Sequence, residues 1–399
     1  MPEIRNLTRL IYCLTFFLAV CPCAQEMAFA APASSGINSY VVRVAVINDA
    51  SEVELRVKGR YSIHALPMLE MLREDSNLNK CRIVPTNSGL LMGVEAFNIY
   101  GIRIKPIGAA TIYVNGRKFR GDIDVVRTEK MKLLVINHVD IEDYVSGVLY
   151  HEVSHLWPME VLKAQAIASR TFAVYKTIES LGRDYDLTND IYSQVYGGRT
   201  SEKYRTSRAV RETKGKILIY KDKVLPAYFH ATCGGHTEDA SLLWNVNMPP
   251  LKGKPCSYCQ KSPHFKWTAT ISLADIEGGL NKAGYKVGGI KDIKILSRDN
   301  SGRVAQVGIP NTLGEEKIPA NRFRLAVGPN ILRSANFDVV LRGKSALFTG
   351  IGWGHGVGMC QWGAYYMSKD GFSAAEILKF YYPGASIANM KYLLEETNE

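Results

Sequence analysis

Between residues 40 and 139 apolar and polar side chains alternate in short runs, clearest at 42–46, 53–57 and 102–107, with Gly, Asn and Pro between them. Successive side chains leave a strand on opposite faces, so a period of two predicts half-buried strands and a β-rich region. Val114-Asn115-Gly116-Arg117 fits a two-residue hairpin turn, because Asn-Gly tolerates the positive φ angles such a loop needs, and the following strand leads towards 131–135.

At residue 140 the period changes. Asp140 can cap a helix whose apolar positions Tyr144, Val145, Val148 and Leu149 recur at helical spacing, with Glu152 at its end. Residues 153–157 read as a connector. Pro158 fits the first turn of a long helix carrying Val161, Leu162, Ile167, Phe172 and Tyr175, with Gly182 as its stop. A loop-rich stretch at 190–198 precedes a helix or strand pair that ends in the polar cluster 230–239. Alternation returns over 267–338, with Asp299-Asn300-Ser301-Gly302 as a turn between runs at 293–296 and 304–309. There is no internal repeat.

The chain start changes the setting. Arg5 and Arg9 precede an apolar run at 10–20, and Ala28-Phe29-Ala30 offers a small-x-small site, so residues 1–30 are expected to be a cleavable signal peptide with the mature chain starting near Ala31. A lipoprotein signal ending at Cys21 is the alternative, with Val20 bulky where a small residue is expected. No later stretch approaches the roughly eighteen apolar residues of a membrane span, so no transmembrane anchor is expected after processing. The protein is expected to be exported, on the periplasmic or cell-wall side of the membrane. Its formal charge is +11, and loss of Glu3, Glu26, Arg5 and Arg9 leaves that unchanged. A basic exported protein suits an anionic partner; Lys and Arg are scattered rather than gathered in a stripe, so a wall polymer is expected and nucleic acid is not.

Of eight cysteines, Cys13, Cys21 and Cys23 fall in the signal, leaving Cys81, Cys233, Cys256, Cys259 and Cys360. An odd number argues against a simple disulfide framework, and the Cys256/Cys259 spacing suggests a metal. His230, Cys233 and His236, joined to Cys256 and Cys259, supply three thiols and an imidazole for tetrahedral structural Zn2+. His236, after the Gly234-Gly235 turn, is the preferred imidazole and His230 the alternative; a Cys256–Cys259 disulfide is the competing reading. Gln260 rules out the haem-attachment signature.

Glu152 sits among Leu149, Val153, Leu156 and Trp157, surroundings that disfavour a carboxylate and raise its pKa; the plain alternative is a solvated glutamate at a helix end. His151-Glu152-Val153-Ser154-His155 matches the letters of the HExxH zinc motif, but that motif needs helix through its second histidine and Pro158 follows too soon. A zinc amidase or peptidase is kept as a rival for the letters alone. Glycine alternates through Gly350, Gly352, Gly354, Gly356 and Gly358, enclosing His355 and followed by Gln361. Such a run lets backbone approach a ligand or a neighbouring strand closely, lacks the spacing of a nucleotide loop, and fits either a groove wall or a packed strand and turn.

Taken in order, Asp140-Ile141-Glu142-Asp143-Tyr144-Val145-Ser146-Gly147-Val148, then Glu152, Trp157-Pro158, Leu162-Lys163-Ala164-Gln165-Ala166-Ile167-Ala168-Ser169-Arg170-Thr171, Ser193-Gln194-Val195-Tyr196-Gly197-Gly198, Cys233-Gly234-Gly235-His236-Thr237-Glu238, the glycine block and Tyr381-Tyr382-Pro383-Gly384 resemble the SpoIID/LytB family of sporulation stage II protein D and amidase enhancers. The resemblance implies a peptidoglycan lytic transglycosylase in which Glu152 protonates the glycosidic oxygen and then, as base, helps the sugar's own hydroxyl close an anhydro-muramic end. It implies that Gln194, Tyr196 and His355 line the glycan groove, and that a structural zinc is held through Cys233, Cys256 and Cys259; in the groove-wall reading of the glycine block, Gln361 meets substrate with His355. The family often has Glu-Met-Pro after the catalytic residue, whereas here Glu152 is followed by Val153-Ser154-His155, which bears on rate and substrate preference more than on the role itself.

The expected architecture is α+β: a β-rich scaffold over 40–139, then a catalytic region over 140–390 with a helical catalytic segment, a zinc-binding loop at 230–259 and a glycine-rich groove wall. The alternative is a non-catalytic wall-binding enhancer of an amidase, with a wall amidase as partner.

Overall fold

A computed structural model describes residues 40–190 and 193–391. The expected signal segment, with Cys13, Cys21 and Cys23, lies outside the described residues.

The alternating runs fold into β1 (Val41–Ala50), β2 (Val53–Ala65), β3 (Glu70–Thr86), β4 (Gly89–Met92), β5 (Glu95–Phe97), β6 (Gly101–Pro106), β7 (Thr111–Val114), β8 (Arg117–Phe119), β9 (Asp122–Arg127) and β10 (Leu133–Asp140). They form one sheet in the order β1-β10-β9-β6-β2-β3-β4-β5, with β7 beside β2 and β8 beside β7, and Leu187–Thr188 added in parallel to β1. Its buried face carries Val42, Val44, Leu55, Val57, Ile63, Ile83, Ile102, Ile104, Val125 and Val135. The Asn115-Gly116 turn forms as expected, with φ of 47° and 77° joining Val114 to Arg117. β3 is a strand the alternation does not announce: it is largely exposed and polar, and its register against β2 shifts three times.

The register Val41↔Asp140 brings the sheet's first and last strands together and delivers the chain into α1 (Ile141–Glu152). Asp140 caps it, accepting the Glu142 amide at 2.8 Å, and Val153 is already extended. α2 (Met159–Glu179) begins one residue after Pro158, which lies at the cap rather than inside the helix. Nearly every side chain from Val161 to Val174 is buried because α2 lies between two cores. Leu162, Ala166 and Phe172 join the sheet's core, while Val161, Ala164, Ile167 and Ala168 pack with Leu218, Val357, Met359 and Ile377. A helix buried on both sides needs no polar stripe. Arg170, fully buried, ties the helices together: its guanidinium donates to both oxygens of Glu142 (3.0 and 2.6 Å) and to the carbonyls of Lys216 and Val210.

The stretch 266–351 has a core of its own. Strands Lys266–Ser272, Ser345–Ile351 and Phe337–Arg342 make one antiparallel sheet, and Lys294–Arg298, Val304–Asn311 and Gly314–Pro319 another. Between them Trp267, Ile276, Leu280, Val307, Phe323, Phe337 and Phe348 are buried together. The expected turn at 299–302 joins two of these strands, held by Asp299, whose carboxylate accepts the Ser301 amide at 2.8 Å. The single region expected over 140–390 therefore encloses a separately cored unit. The whole is α+β, and no helix among the described residues is long and apolar enough to cross a membrane.

Candidate active site

Glu152 is the last residue of α1, half-buried in the floor of a cleft of about 330 Å³. Tyr150, His151, Val153, Ser154 and Trp157 line one part of it, and Ala231, His264, Trp353, Gln361 and Trp362 the rest. Glu152 is the one carboxyl group among these lining residues. Burial raises its pKa to about 7, against the opposing effect of hydrogen bonds from the Gln361 side chain and the Val195 backbone N–H. The helix adds to burial, since the partial negative charge at its C-terminal end disfavours a carboxylate there. A carboxyl group so placed can hold a proton at neutral pH and release it on demand.

The cleft is shaped from both sides. Arg205 donates to the carbonyls of His155 and Trp157, both at 2.9 Å, and fixes the connector after Glu152. Trp157 meets Trp362 edge-on at 4.9 Å between centroids, and His264 lies 4.7 Å from Trp353. Gln361 and Trp362 open the helix Gln361–Lys369, immediately after Cys360. Gln361 is steadied by donation to Gln165 Oε1 of α2 at 3.3 Å.

Of the residues expected to meet substrate, the structure brings only Gln361 to the cleft with Glu152. Gln194 and Tyr196 are each 1% exposed. Gln194 accepts from the Tyr144 hydroxyl at 3.0 Å, and the Tyr196 hydroxyl donates to Asn137 Oδ1 at 2.9 Å. The Tyr196 ring fills the space beside Gly147, where an added Cβ would stand 2.6 Å from it. Both residues buttress α1 from behind, a direction their loop position could not disclose. His355 also lies elsewhere, packed at 4.9 Å from Trp244 and 5.6 Å from His230, with its Nδ1 accepting the Val357 amide at 3.1 Å. Burial, with His230 and Arg324 nearby, holds it well below the usual imidazole range. Around it the glycine block is packing: at Gly358, φ is +69° and a Cβ would stand 2.0 Å from the Tyr228 carbonyl oxygen. Trp353 is the residue of that block that faces the cleft. Trp353, His264 and Trp362 went unassigned in the sequence, where no spacing links them to Glu152.

α1 ends at Glu152, so His155 is not on the helix that carries His151, and His151 Nε2 pairs with Ser201 Oγ at 2.6 Å. The HExxH geometry is not made.

The thiols of Cys233, Cys256, Cys259 and Cys360 converge, with all four sulfurs within 4.8 Å of one another and Cys233 Sγ 3.3 Å from Cys259 Sγ. All four are free thiols. Zn–S bonds of about 2.3 Å in a tetrahedron separate sulfurs by roughly 3.8 Å, so this set fits the ion. The fourth position expected for His236 or His230 is taken by Cys360. His236 Nδ1 turns to the Thr237 carbonyl at 2.6 Å and His230 Nδ1 to that of Val357 at 3.0 Å. The amides of Cys233 and Gly363 donate to Cys360 Sγ at 3.2 and 3.3 Å.

Residues 129–220 match the profile of a family described as "Stage II sporulation protein", and residues 253–358 match a domain of unknown function. An uncharacterized protein of Brachyspira hyodysenteriae is 33% identical over 364 residues, 90% of this chain and 96% of that one. Stage II sporulation protein D of Bacillus subtilis is 31% identical over 289 residues, 69% of this chain and 81% of its own. The amidase enhancer of Bacillus subtilis is 28% identical over 357 residues, which are 76% of this chain and 49% of the enhancer.

Proposed function

This chain belongs to the stage II sporulation protein D family, and we propose that it is an exported peptidoglycan lytic transglycosylase with Glu152 as acid and then base. The observation that carries this is a protonatable Glu152, set alone among the cleft-lining residues as a carboxyl group and hydrogen-bonded by Gln361. Hydrolases that cut glycosidic bonds with water ordinarily use two carboxyl groups about 5–10 Å apart. With one, the same group must act twice. Protonated Glu152 gives its proton to the glycosidic oxygen as the bond to the anomeric carbon breaks. As carboxylate it then takes the proton from the hydroxyl of the same sugar that attacks that carbon. One bond is broken, an internal ether is made, the proton is returned, and no water is consumed.

Gln361 can hold the carboxyl in line through both steps and stabilise its ionised form. Trp157, Trp353 and Trp362 offer apolar faces for sugar rings and keep water from the reacting bond. Cys233, Cys256, Cys259 and Cys360 would hold zinc as a closed four-thiolate site, whose contribution is to pin chain segments rather than to activate a reactant.

Likeness to the amidase enhancer supports a second reading, in which the cleft grips glycan and stimulates a separate amidase. Mass spectrometry of purified peptidoglycan after incubation with the mature protein separates the two. Anhydro-muramic ends from the native protein, and none from Glu152→Gln, are expected of the lytic enzyme. An absence of new ends from both proteins, together with an intact stimulating effect in Glu152→Gln, sinks it in favour of the enhancer.

A further inference from the structure

Two cations lie over aromatic side chains of the cleft wall. Lys203 Nζ stands 5.0 Å from the centre of the Tyr150 ring, and the Arg333 guanidinium carbon 4.8 Å from that of Trp353. Both rings line the cleft beside Glu152. Elsewhere Arg117, over the Phe119 ring, donates to the Tyr196 carbonyl, and Lys254, over the Phe380 ring, donates to the Phe380 carbonyl. Lys203 and Arg333 have no carboxylate within ion-pair distance and no side-chain hydrogen bond among the described residues. Lys203 is exposed and Arg333 half-buried. Arg333 also acts across to His264 on the cleft wall, where its charge, after burial, helps lower the imidazole pKa. The N–H groups of a guanidinium with no hydrogen-bond partner match a carboxylate in two parallel hydrogen bonds. The two pairs come from distant segments, so uncompensated positive charge flanks a cleft whose own lining supplies one carboxyl group, itself protonatable.

We propose that Arg333 and Lys203 are specificity residues that recognise carboxylates carried by the sugar strand, so that the cleft selects an acidic glycan over a neutral one. This rests on the reading of the cleft as a glycan site. Two carboxylates share the required chemistry: the one borne by the muramic sugar itself and those of an attached stem peptide.

Binding to the Glu152→Gln protein, which leaves the strand uncut, tests it with three probes: a neutral N-acetylglucosamine oligomer, wall glycan stripped of peptides, and wall glycan that retains them. Arg333→Gln and Lys203→Gln are each expected to weaken binding of an acidic strand about fivefold or more, as loss of a charged hydrogen bond does, and to leave the neutral oligomer unchanged. Arg333→Lys should restore part of the loss, and added salt should weaken only acidic strands. A loss seen with stripped glycan assigns the sugar's carboxylate; a loss confined to the peptide-bearing strand assigns the peptide's. Equal affinity of the Glu152→Gln parent for all three probes, or an equal loss with all three in the Arg333→Gln and Lys203→Gln proteins, overturns the proposal while the glycan reading stands. Failure of the Glu152→Gln parent to bind any of the three overturns both.

Discussion

The side chain of Gln361 hydrogen-bonds the carboxyl group of Glu152, joining the end of α1 to the start of a helix far along the chain. Because this bond favours the ionised carboxyl, its removal raises the Glu152 pKa above about 7. In Gln361→Ala the alkaline limb of the rate–pH profile should therefore move upward, while the maximal rate falls about tenfold through lost alignment. An unshifted limb with a reduced rate would leave Gln361 a packing residue only.

Glu152 also makes stability depend on pH. Its folded pKa lies above its unfolded one, so the neutral group's contribution is complete below the unfolded value near 4.5 and is lost as pH rises through about 7. Glu152→Gln, which cannot ionise, should match the native protein at pH near 4 and exceed it above pH 8 by up to about 3 kcal/mol. Urea unfolding at both pH values checks this. A difference that does not change with pH would mean that folding leaves the Glu152 pKa unshifted.

The four-thiol cluster predicts a metal requirement that is structural. The native protein should carry one zinc per chain, and a strong chelator should lower its melting temperature and its activity in parallel. Cys360→Ser should lose the metal, whereas His236→Ala should keep it; elemental analysis of the purified variants decides. Zinc retained in Cys360→Ser and lost in His236→Ala would restore the histidine ligand.

Arg170, fully buried, pairs with the half-buried Glu142. Truncating one strands the other, so Arg170→Met should destabilise the protein by about 3–5 kcal/mol. Replacing both, with Glu142→Leu and Arg170→Met, should cost less than the sum of the two single changes. Additive losses in that double-mutant cycle would show no coupling between the helices at this point.

What the sequence disclosed follows the range of each signal. α1, its Asp140 cap and its end at Glu152 are local, set by spacing and by one side chain, and were legible. The hairpin at Asn115-Gly116 was legible for the same reason. The fourth thiol was not: Cys360 is distant from Cys259 and hidden in a glycine-rich run, while two histidines stood nearer in sequence. Gln194 and Tyr196 were found as a motif and expected in the glycan groove, whereas both are buried against α1; a loop position carries no direction. The cleft's far wall draws His264, Trp353 and Trp362 from segments that only the tertiary fold aligns. The third core over 266–351 was invisible because alternation announces strands without saying which sheet they join.

α2 serves two cores at once, and the consequence concerns what can be exchanged. Neither the sheet layer nor the cysteine-bearing layer could be transplanted alone, since each would take away the cover from one side of α2 and leave an apolar stripe in water. The unit at 266–351 is the opposite case: it closes on its own core, and His264 and Trp353 stand just outside its entrance and exit. Its exchange would need one arm kept: Arg303, which donates to the carbonyls of Cys233 and His236 at 2.6 and 3.0 Å, reaches out of it to the cysteine cluster. The architecture thus lets the outer wall of the cleft vary while that arm and the helices behind Glu152 stay fixed.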